Sequence, residues 1–345
     1  MGLANRAMNN VNRIEKLLSS RVNKKLTSYT GSLRFLVGLP AFVLALLFEI
    51  IFFSITGEGF LTISNLLNLL RQGSVLAIVS IGMTYVILCA EIDLSCGAII
   101  SLCGVLVPIL VSQGYALFPS CFFAIFVGVL TGLFNGLLTA KARIPSFIVT
   151  LGVMGMAKGI ALVLTDAESV KLPQHWFFKS LGDGHFLFIP NPVWITGLIF
   201  LFGFVLLNRT KFGFQMYEVG SNENAAFRMG TDIVKVKVLV FVLSGLLSSL
   251  AGIMLITRMN SAHPTVGIGY EFEAIAATVL GGTIFEGGKG SLGGTMAGVV
   301  IITILRNGLN MMGLFTSLQL TIFGLIIILA LSFDYLHYKG KPKTS

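Results

Sequence analysis

The residues best suited to chemistry lie in one stretch, Tyr270 to Gly298, which combines carboxylates with paired glycines. Its acids are Glu271, Glu273 and Glu286, and its glycine pairs are Gly281-Gly282, Gly287-Gly288 and Gly293-Gly294. Long apolar runs flank the stretch on both sides. Acids in such surroundings need water or a partner, whereas paired glycines suit tight turns and close helix approach. The pattern predicts a segment that shapes a pathway.

A second polar set, Glu91, Asp93 and Ser95, interrupts two apolar runs in the sequence EIDLSCG. An isolated charge inside a membrane costs several kcal/mol, so these acids must face water, a partner or the membrane boundary. We favour a structural interpretation, in which Asp93 or Ser95 caps the next helix. Direct contact with a permeating molecule is the alternative. Glu271 and Glu273 likewise are either helix-terminal acids or the polar rim of a pathway.

Catalytic and nucleotide-binding motifs are not evident in the sequence. GGKGS resembles part of a phosphate-binding loop, but that loop needs G-x-x-x-x-G-K-[ST]. Here Thr283 stands at the first glycine position, and Gly290 follows Lys289. The four cysteines lie in or beside apolar segments without a neighbouring histidine, and the four histidines show no ligand spacing. The sequence therefore predicts no catalytic residue, no metal and no cofactor.

The composition places these motifs in a membrane. Of the 345 residues, 55% are hydrophobic and 11% are charged, and the mean hydropathy is +0.89. Soluble domains carry about 25% charged residues. Apolar runs of about 20 residues, the length that spans a bilayer as a helix, recur along the chain. The predicted fold is all-α: a polytopic membrane protein with about ten transmembrane helices, including broken or re-entrant segments.

The predicted spans differ in length and regularity. They cover about 35–55, 73–90, 94–112, 116–140, 146–165, 193–207, 238–257, 271–280, 291–307 and 317–333. An amphipathic segment, Asn65 to Gln72, leads into the second span. The eighth is too short to cross as an ordinary helix, so a broken or re-entrant helix is expected there. The outer loop 166–191 is expected to form a short folded lip.

Basic residues indicate the orientation of the chain. The net charge is +9, and the cations concentrate before residue 35, in the loop 208–237 and at the end of the chain. This is the positive-inside pattern of membrane proteins rather than a nucleic-acid surface. We expect a basic cytoplasmic tail at 1–34, a transmembrane domain at 35–335 and a second basic cytoplasmic tail at 336–345. No cleavable signal sequence is evident.

The inner loop 208–237 contains the best candidate for a partner-binding segment. Ser221 is placed to cap a short helix over Asn222 to Met229, with Glu223 in its first turn and Gly230 at its end. From these residues alone, a solvated connecting helix is the simpler interpretation.

Several segments together resemble the permease subunits of ATP-driven importers of ribose, galactose and xylose. The similar segments are EIDLSCG, IPSFIVTLGVMGMAKGIALVLT, VGSNENAAFRMG, YEFEAIAATVLGGTIFEGGKGSLGGTMAG and NGLNMMG, within roughly residues 65–335. The resemblance implies a subunit of a bacterial inner membrane, paired with an identical or related permease. It would move a pentose or hexose delivered by an extracytoplasmic binding protein. Cytoplasmic ATPase subunits, not this chain, would hydrolyse ATP.

The resemblance also assigns roles to residues. The short loop helix would be the coupling helix that docks on the ATPase, through Ser221, Asn222, Glu223, Ala225, Ala226, Arg228 and Gly230. Independently of the resemblance, the acids and glycines at the breaks are predicted to line or shape the pathway: Glu91, Asp93, Ser95, Glu271, Glu273, Gly281, Gly282, Gly287 and Gly288. Three residues depart from the pattern of this class. Glu91 stands where glycine is more usual, and Glu286 and Lys289 stand where small residues or arginine are common.

Other functions stay open at this point. One is a sister permease for branched-chain amino acids, nucleosides or the signalling molecule autoinducer-2. Another is an ion- or proton-coupled secondary transporter that uses Glu91, Asp93 and Glu271, which would work without an ATPase. An intramembrane enzyme is poorly supported, because no nucleophile–base pair or metal set is evident.

Overall fold

The structure, a computed structural model, describes residues 41–315, 318–326 and 328. The predicted tails 1–34 and 336–345 lie outside these residues, as do the beginning of the first predicted span and the end of the last. By internal packing the chain divides into two units, Met1–Phe48 and Glu49–Ser345. The first contributes only residues 41–48 to the description, and all the candidate functional residues belong to the second.

The described chain is almost entirely helical, which confirms the predicted all-α class. The helices are α1 Ala41–Thr56, α2 Ile63–Leu88, α3 Cys96–Ser112, α4 Leu117–Ala140, α5 Ser146–Leu164, α6 Trp176–Gly182, α7 Asn191–Arg209, α8 Lys211–Ser221, α9 Glu223–Arg228, α10 Ile233–Met259, α11 Tyr270–Leu280 and α12 Leu292–Met311. Residues 318–326 are also helical. Four two-residue strands complete the set: β1 Val170–Lys171, β2 His185–Phe186, β3 Ile189–Pro190 and β4 Ser261–Ala262.

Within the described residues, six helices are long and apolar enough to cross a membrane: α2, α4, α5, α7, α10 and α12. Val43–Thr56 and Cys96–Ser112 are apolar but shorter. The protein is therefore a multi-pass membrane protein, whereas the count of ten spans is not confirmed.

Helix α2 begins earlier than the predicted second span. The segment predicted as an amphipathic lead-in, Asn65–Gln72, forms its first turns. Thr62 is the N-cap, and its hydroxyl accepts a hydrogen bond from the Asn65 N–H at 3.4 Å. No proline separates this segment from the apolar run that follows, and a single Gly73 does not end the helix, so one helix continues through both.

Two antiparallel pairs of strands organise the segments between helices. β2 and β3 form a hairpin, with His185 opposite Pro190, inside the predicted folded lip, which also contains α6. β1 of the same lip pairs with β4, so that Val170 lies opposite Ala262. This pairing joins the lip to the segment that directly follows α10.

Helix α10 is the most buried of the six long helices and packs along α2, α3 and α4. Its contact with α4 depends on glycines spaced four residues apart, Gly128, Gly132 and Gly136. A Cβ at Gly132 would overlap the Phe241 carbonyl of α10, and one at Gly136 would lie 2.7 Å from the Val238 Cα. Because these positions lack side chains, the two backbones approach closely, as is usual where apolar helices pack in lipid.

Helix α11 has 11 residues, a length of about 16 Å, which is close to half of the hydrocarbon core of about 30 Å. It forms a tight hairpin with α12. A Cβ at Gly281 would overlap Gly294, and a Cβ at Gly298 would overlap the Ala277 carbonyl. The predicted close approach of helices at the glycine pairs is therefore present at Gly281 and Gly294.

Candidate functional site

The break between α2 and α3, residues 89–95, begins with a left-handed turn. Ala90 has φ +58°. Its N–H donates to the Ile87 carbonyl at 2.9 Å, and the Glu91 N–H donates to the Val86 carbonyl at 3.1 Å. This pair of bonds is the Schellman arrangement, whose left-handed position usually holds glycine. The turn ends α2 and directs the following residues back between the helices.

Asp93 connects this break to α10. Its Oδ1 accepts hydrogen bonds from the Ser95 N–H at 2.9 Å and from the Ser95 hydroxyl at 2.6 Å. Its Oδ2 accepts from the Ser244 hydroxyl of α10 at 2.6 Å. The side chain of Asn135 on α4 donates to Ser95 Oγ at 2.8 Å. All four side chains are buried, and protein neighbours rather than water satisfy both carboxylate oxygens of Asp93.

The predicted capping of α3 takes a different form. Ser95 is the N-cap residue, but its side chain makes no capping bond to the helix. Asp93 instead binds the backbone and hydroxyl of Ser95 itself. The physical reason is the packing of α10, which places the Ser244 hydroxyl beside the carboxylate and favours a cross-helix network over a local cap.

The glycine loop 281–291 packs against the same break. The Gly288 N–H donates to the Leu88 carbonyl at 2.9 Å, which satisfies one of the last carbonyls of α2. Gly287 and Gly288 have φ of +87° and +72°, and their backbones lie against Ala90 and Ser221 respectively. Gly282 also has positive φ, +87°. The predicted tight turn is thus present, and it joins the end of α2 to the end of α8.

The segment that resembles a coupling helix forms α8 and α9. Asn222, not Ser221, is the N-cap of α9, and its Oδ1 accepts from the Ala225 N–H at 3.0 Å. Ser221 instead ends α8, because α8 continues to the residue directly before the cap. Ala226 is fully buried, whereas Ala225 and Arg228 are exposed. Gly230, with φ +85°, follows the helix.

Two ion pairs connect these segments through Lys237 of α10. Lys237 Nζ lies 2.7 Å from Glu91 Oε1 and 3.0 Å from Glu223 Oε2. Lys237 and Glu91 are 12% and 11% exposed, and Glu223 is 54% exposed. Beside them lies a polar cleft of about 940 Å³, also lined by Lys141 and Arg143 of the turn between α4 and α5. Three of the predicted groups of residues, 91–95, 221–230 and 281–288, therefore meet at one junction.

Glu271 and Glu273 lie at the opposite end of α11 from this junction. They are 4% and 3% exposed. Both Glu271 oxygens accept from the Gly269 N–H at 3.1 Å. Glu273 forms an ion pair with Arg306 at 2.8 Å, and the Arg306 guanidinium stacks 5.1 Å above the Tyr270 ring. Their burial and partners support the helix-terminal interpretation of these acids over an exposed rim.

Lys237 is the residue of the junction that sequence reasoning did not select. In the sequence it is one of several cations that end an inner loop, and it is far from Glu91 along the chain. Among the described residues, the structure contains no group of three or more His, Cys, Asp or Glu side chains that could hold a metal ion. The four cysteines are free and buried.

Comparisons with known proteins relate the whole chain to membrane permeases. Residues 65–331 match the family model described as branched-chain amino acid transport system / permease component. Ribose import permease protein RbsC of Haemophilus influenzae is 39% identical, over 90% of this chain and 96% of its own length. RbsC of Bacillus subtilis is 42% identical, over 84% and 91%. The L-arabinose transport system permease protein AraH of Escherichia coli is 34% identical, over 83% and 86%.

No solved structure matches this chain with significance. The family match covers more than half of the sequence, and the relatives extend over most of both chains. The chain belongs to the family of branched-chain amino acid transport system / permease components.

Proposed function

We propose that this chain is the permease subunit of an ATP-binding-cassette importer that translocates a pentose, with ribose as the first candidate. The observation that carries the proposal is the similarity to ribose import permeases, at 39% and 42% identity over most of the chain. The arabinose permease is also similar, at 34% identity. All three of these relatives are named for pentoses, and for this reason we prefer a pentose within the wider class of pentoses and hexoses.

The proposal gives the chain no catalytic group of its own. ATP is hydrolysed on separate cytoplasmic subunits, the sugar arrives on an extracytoplasmic binding protein, and a second permease, identical or related, completes the pathway. The chain lies in the inner membrane, with both termini in the cytoplasm. The basic inner loop 208–237 and the basic ends of the sequence support this orientation.

The junction supports coupling to an ATPase. Helix α9 exposes Ala225, Phe227 and Arg228, and Phe227 is 71% exposed. An exposed aromatic residue beside a cation is typical of the centre of a protein interface. The other face of α9 is fixed by buried Ala226 and by the pair between Glu223 and Lys237. A partner that pushes on α9 therefore acts on the transmembrane bundle.

The structure gives less support to an ion-coupled transporter. The three acids that such a mechanism would use already have protein partners: Glu91 has Lys237, Asp93 has two serine hydroxyls, and Glu271 has the Gly269 N–H. A carboxylate that carries an ion across the membrane must exchange such partners in each cycle.

Uptake assays test the proposed cargo and energy source. Cells that express the chain with its ATPase and binding protein are given labelled ribose, arabinose, xylose, galactose, leucine, a nucleoside or autoinducer-2. We expect ribose uptake that depends on ATP and survives a protonophore when ATP is maintained. Uptake of leucine, a nucleoside or autoinducer-2 in place of sugars would contradict the pentose assignment. Uptake without the ATPase, driven by an ion gradient, would contradict the importer itself.

Ala225→Arg tests the docking surface. Ala225 is exposed, so a bulky cation there should leave the fold intact and disturb only a partner bound to α9. The change at Ala226 is less informative, because that side chain is fully buried. Asn208→Arg, at the exposed end of α7 and outside the cleft that α9 lines, is the control. We expect Ala225→Arg to abolish sugar-stimulated ATPase activity and uptake, and unchanged activities would show that α9 does not couple.

A further inference from the structure

One ammonium group stands between two carboxylates at the junction. Glu223 is the first residue of α9, Lys237 lies in the second turn of α10, and Glu91 lies in the break between α2 and α3. Among the described residues, the pair with Lys237 is the only side-chain hydrogen bond or ion pair from α9 to α10. We call this set, Glu91, Lys237 and Glu223, the ionic bridge.

The ionic bridge differs from an ordinary surface pair because its centre is shielded. Lys237 and Glu91 are 12% and 11% exposed, and only Glu223 extends into solvent. Exposed pairs contribute little, whereas removing one partner of a shielded pair leaves an uncompensated charge. The shielded pair therefore fixes Lys237 against the break, and the more exposed Glu223 connects the same ammonium group to α9.

Hydrogen bonds to other segments also hold the break in place. Asp93 binds Ser244 of α10, and the Leu88 carbonyl accepts from Gly288. The Ile92 N–H donates to Ser146 Oγ of α5 at 3.1 Å. A movement of α9 that reaches the break through Lys237 is thus passed on to α5, α10 and the glycine loop.

We propose that Lys237 is a positioning residue that couples displacement of α9 to the break between α2 and α3, and through it to the transport pathway. This inference rests on the proposed function of α9 as the segment that docks on the ATPase. The resemblance alone does not imply this connection. The class more often has glycine where this chain has Glu91, and glycine has no side chain that could pair with Lys237. Lys237 touches neither ATP nor sugar in this proposal, and its role is to transmit force.

The test uses proteoliposomes that contain the complete transporter, with the binding protein loaded with labelled ribose. For Lys237→Met we expect the maximal uptake rate to fall by about tenfold, while ATP hydrolysis continues, so that more ATP is consumed for each sugar moved. The concentration of binding protein at half-maximal uptake should stay unchanged, because the docking surface for that protein is not altered. Lys237→Arg, which keeps the charge, should restore most of the coupling.

Lys235→Met is the matched control, since Lys235 lies two residues away on the same helix and is exposed. Glu223→Gln is the second variant, because its partly exposed side chain tolerates the change even where Lys237→Met does not assemble. We expect Glu223→Gln to uncouple as well, and its combination with Lys237→Met to add little.

Wild-type levels of sugar moved per ATP in Glu223→Gln, or in an assembled Lys237→Met transporter, would overturn the inference. A wild-type transporter that shows no ATP-driven sugar uptake would instead contradict the proposed function. The two failures are therefore distinguishable in one assay.

Discussion

The Gly288 N–H donates a hydrogen bond to the Leu88 carbonyl over 2.9 Å, and this bond joins the end of α2 to the glycine loop between α11 and α12. Ser221, at the end of α8, packs against the same glycine. Three segments therefore meet at Gly288: the end of α2, the glycine loop, and the end of α8, which leads into the helix proposed to dock on the ATPase. A side chain added at Gly288 must therefore displace a neighbour, because a Cβ there would overlap Ser221.

Gly288→Leu tests this relationship. Gly288 has φ +72°, a conformation that costs other residues about 1–2 kcal/mol, and its added side chain would overlap Ser221 and its backbone. We expect assembly or uptake to be lost, as measured by the amount of folded protein in the membrane and by ribose uptake. Gly293→Leu is the control, because a Cβ at Gly293 meets no atom within 4 Å. A fully active Gly288→Leu transporter would show that the loop does not have to pack against the end of α8.

Gly132→Val tests the close approach of α4 and α10. The added Cβ would overlap the Phe241 carbonyl and lie 3.0 Å from the Val242 Cα, so the helices must separate. Overpacking of this kind costs about 1–3 kcal/mol, which should lower the midpoint of thermal unfolding in detergent. Gly197→Val on α7, where a Cβ meets no atom within 4 Å, should leave the midpoint unchanged. Equal midpoints for the two variants would contradict the glycine-dependent packing.

Local patterns in the sequence predicted much of the fold and less of the site. Apolar runs predicted the helical class, and the glycine pairs predicted the tight turn at Gly287 and Gly288, because both depend on residues adjacent in the chain. The four-residue spacing of Gly128, Gly132 and Gly136 gave no prediction, because it does not say which helix packs against it. Asp93 and Ser244 are 151 positions apart, so only the tertiary packing of α10 reveals their bond. The ion pair between Lys237 and Glu91 could not be predicted for the same reason, because the two residues are far apart in the sequence.

Ser244→Ala tests the network around Asp93. The substitution removes a hydroxyl that donates to Asp93 Oδ2 at 2.6 Å and leaves that buried oxygen without this partner. An unsatisfied buried acceptor costs about 1–3 kcal/mol, so we expect a lower unfolding midpoint for the purified protein. Ser248→Ala, one turn later on α10, is the matched control, because its buried hydroxyl has no hydrogen-bond partner among the described residues. If Ser248→Ala were as destabilising as Ser244→Ala, the bond to Asp93 would contribute nothing specific.

Ala90→Gly should stabilise the protein. Ala90 has φ +58° at the position of a Schellman turn that usually holds glycine, and a left-handed conformation costs an alanine about 1–2 kcal/mol. Glycine removes that cost but loses more conformational entropy on folding, so we expect a net gain of about 1 kcal/mol or less and a higher thermal midpoint. Ala77→Gly, in the buried interior of α2, is the opposite control and should lower the midpoint. A lower midpoint for Ala90→Gly would show that the methyl group, packed against Gly287, stabilises the break by more than the backbone strain costs.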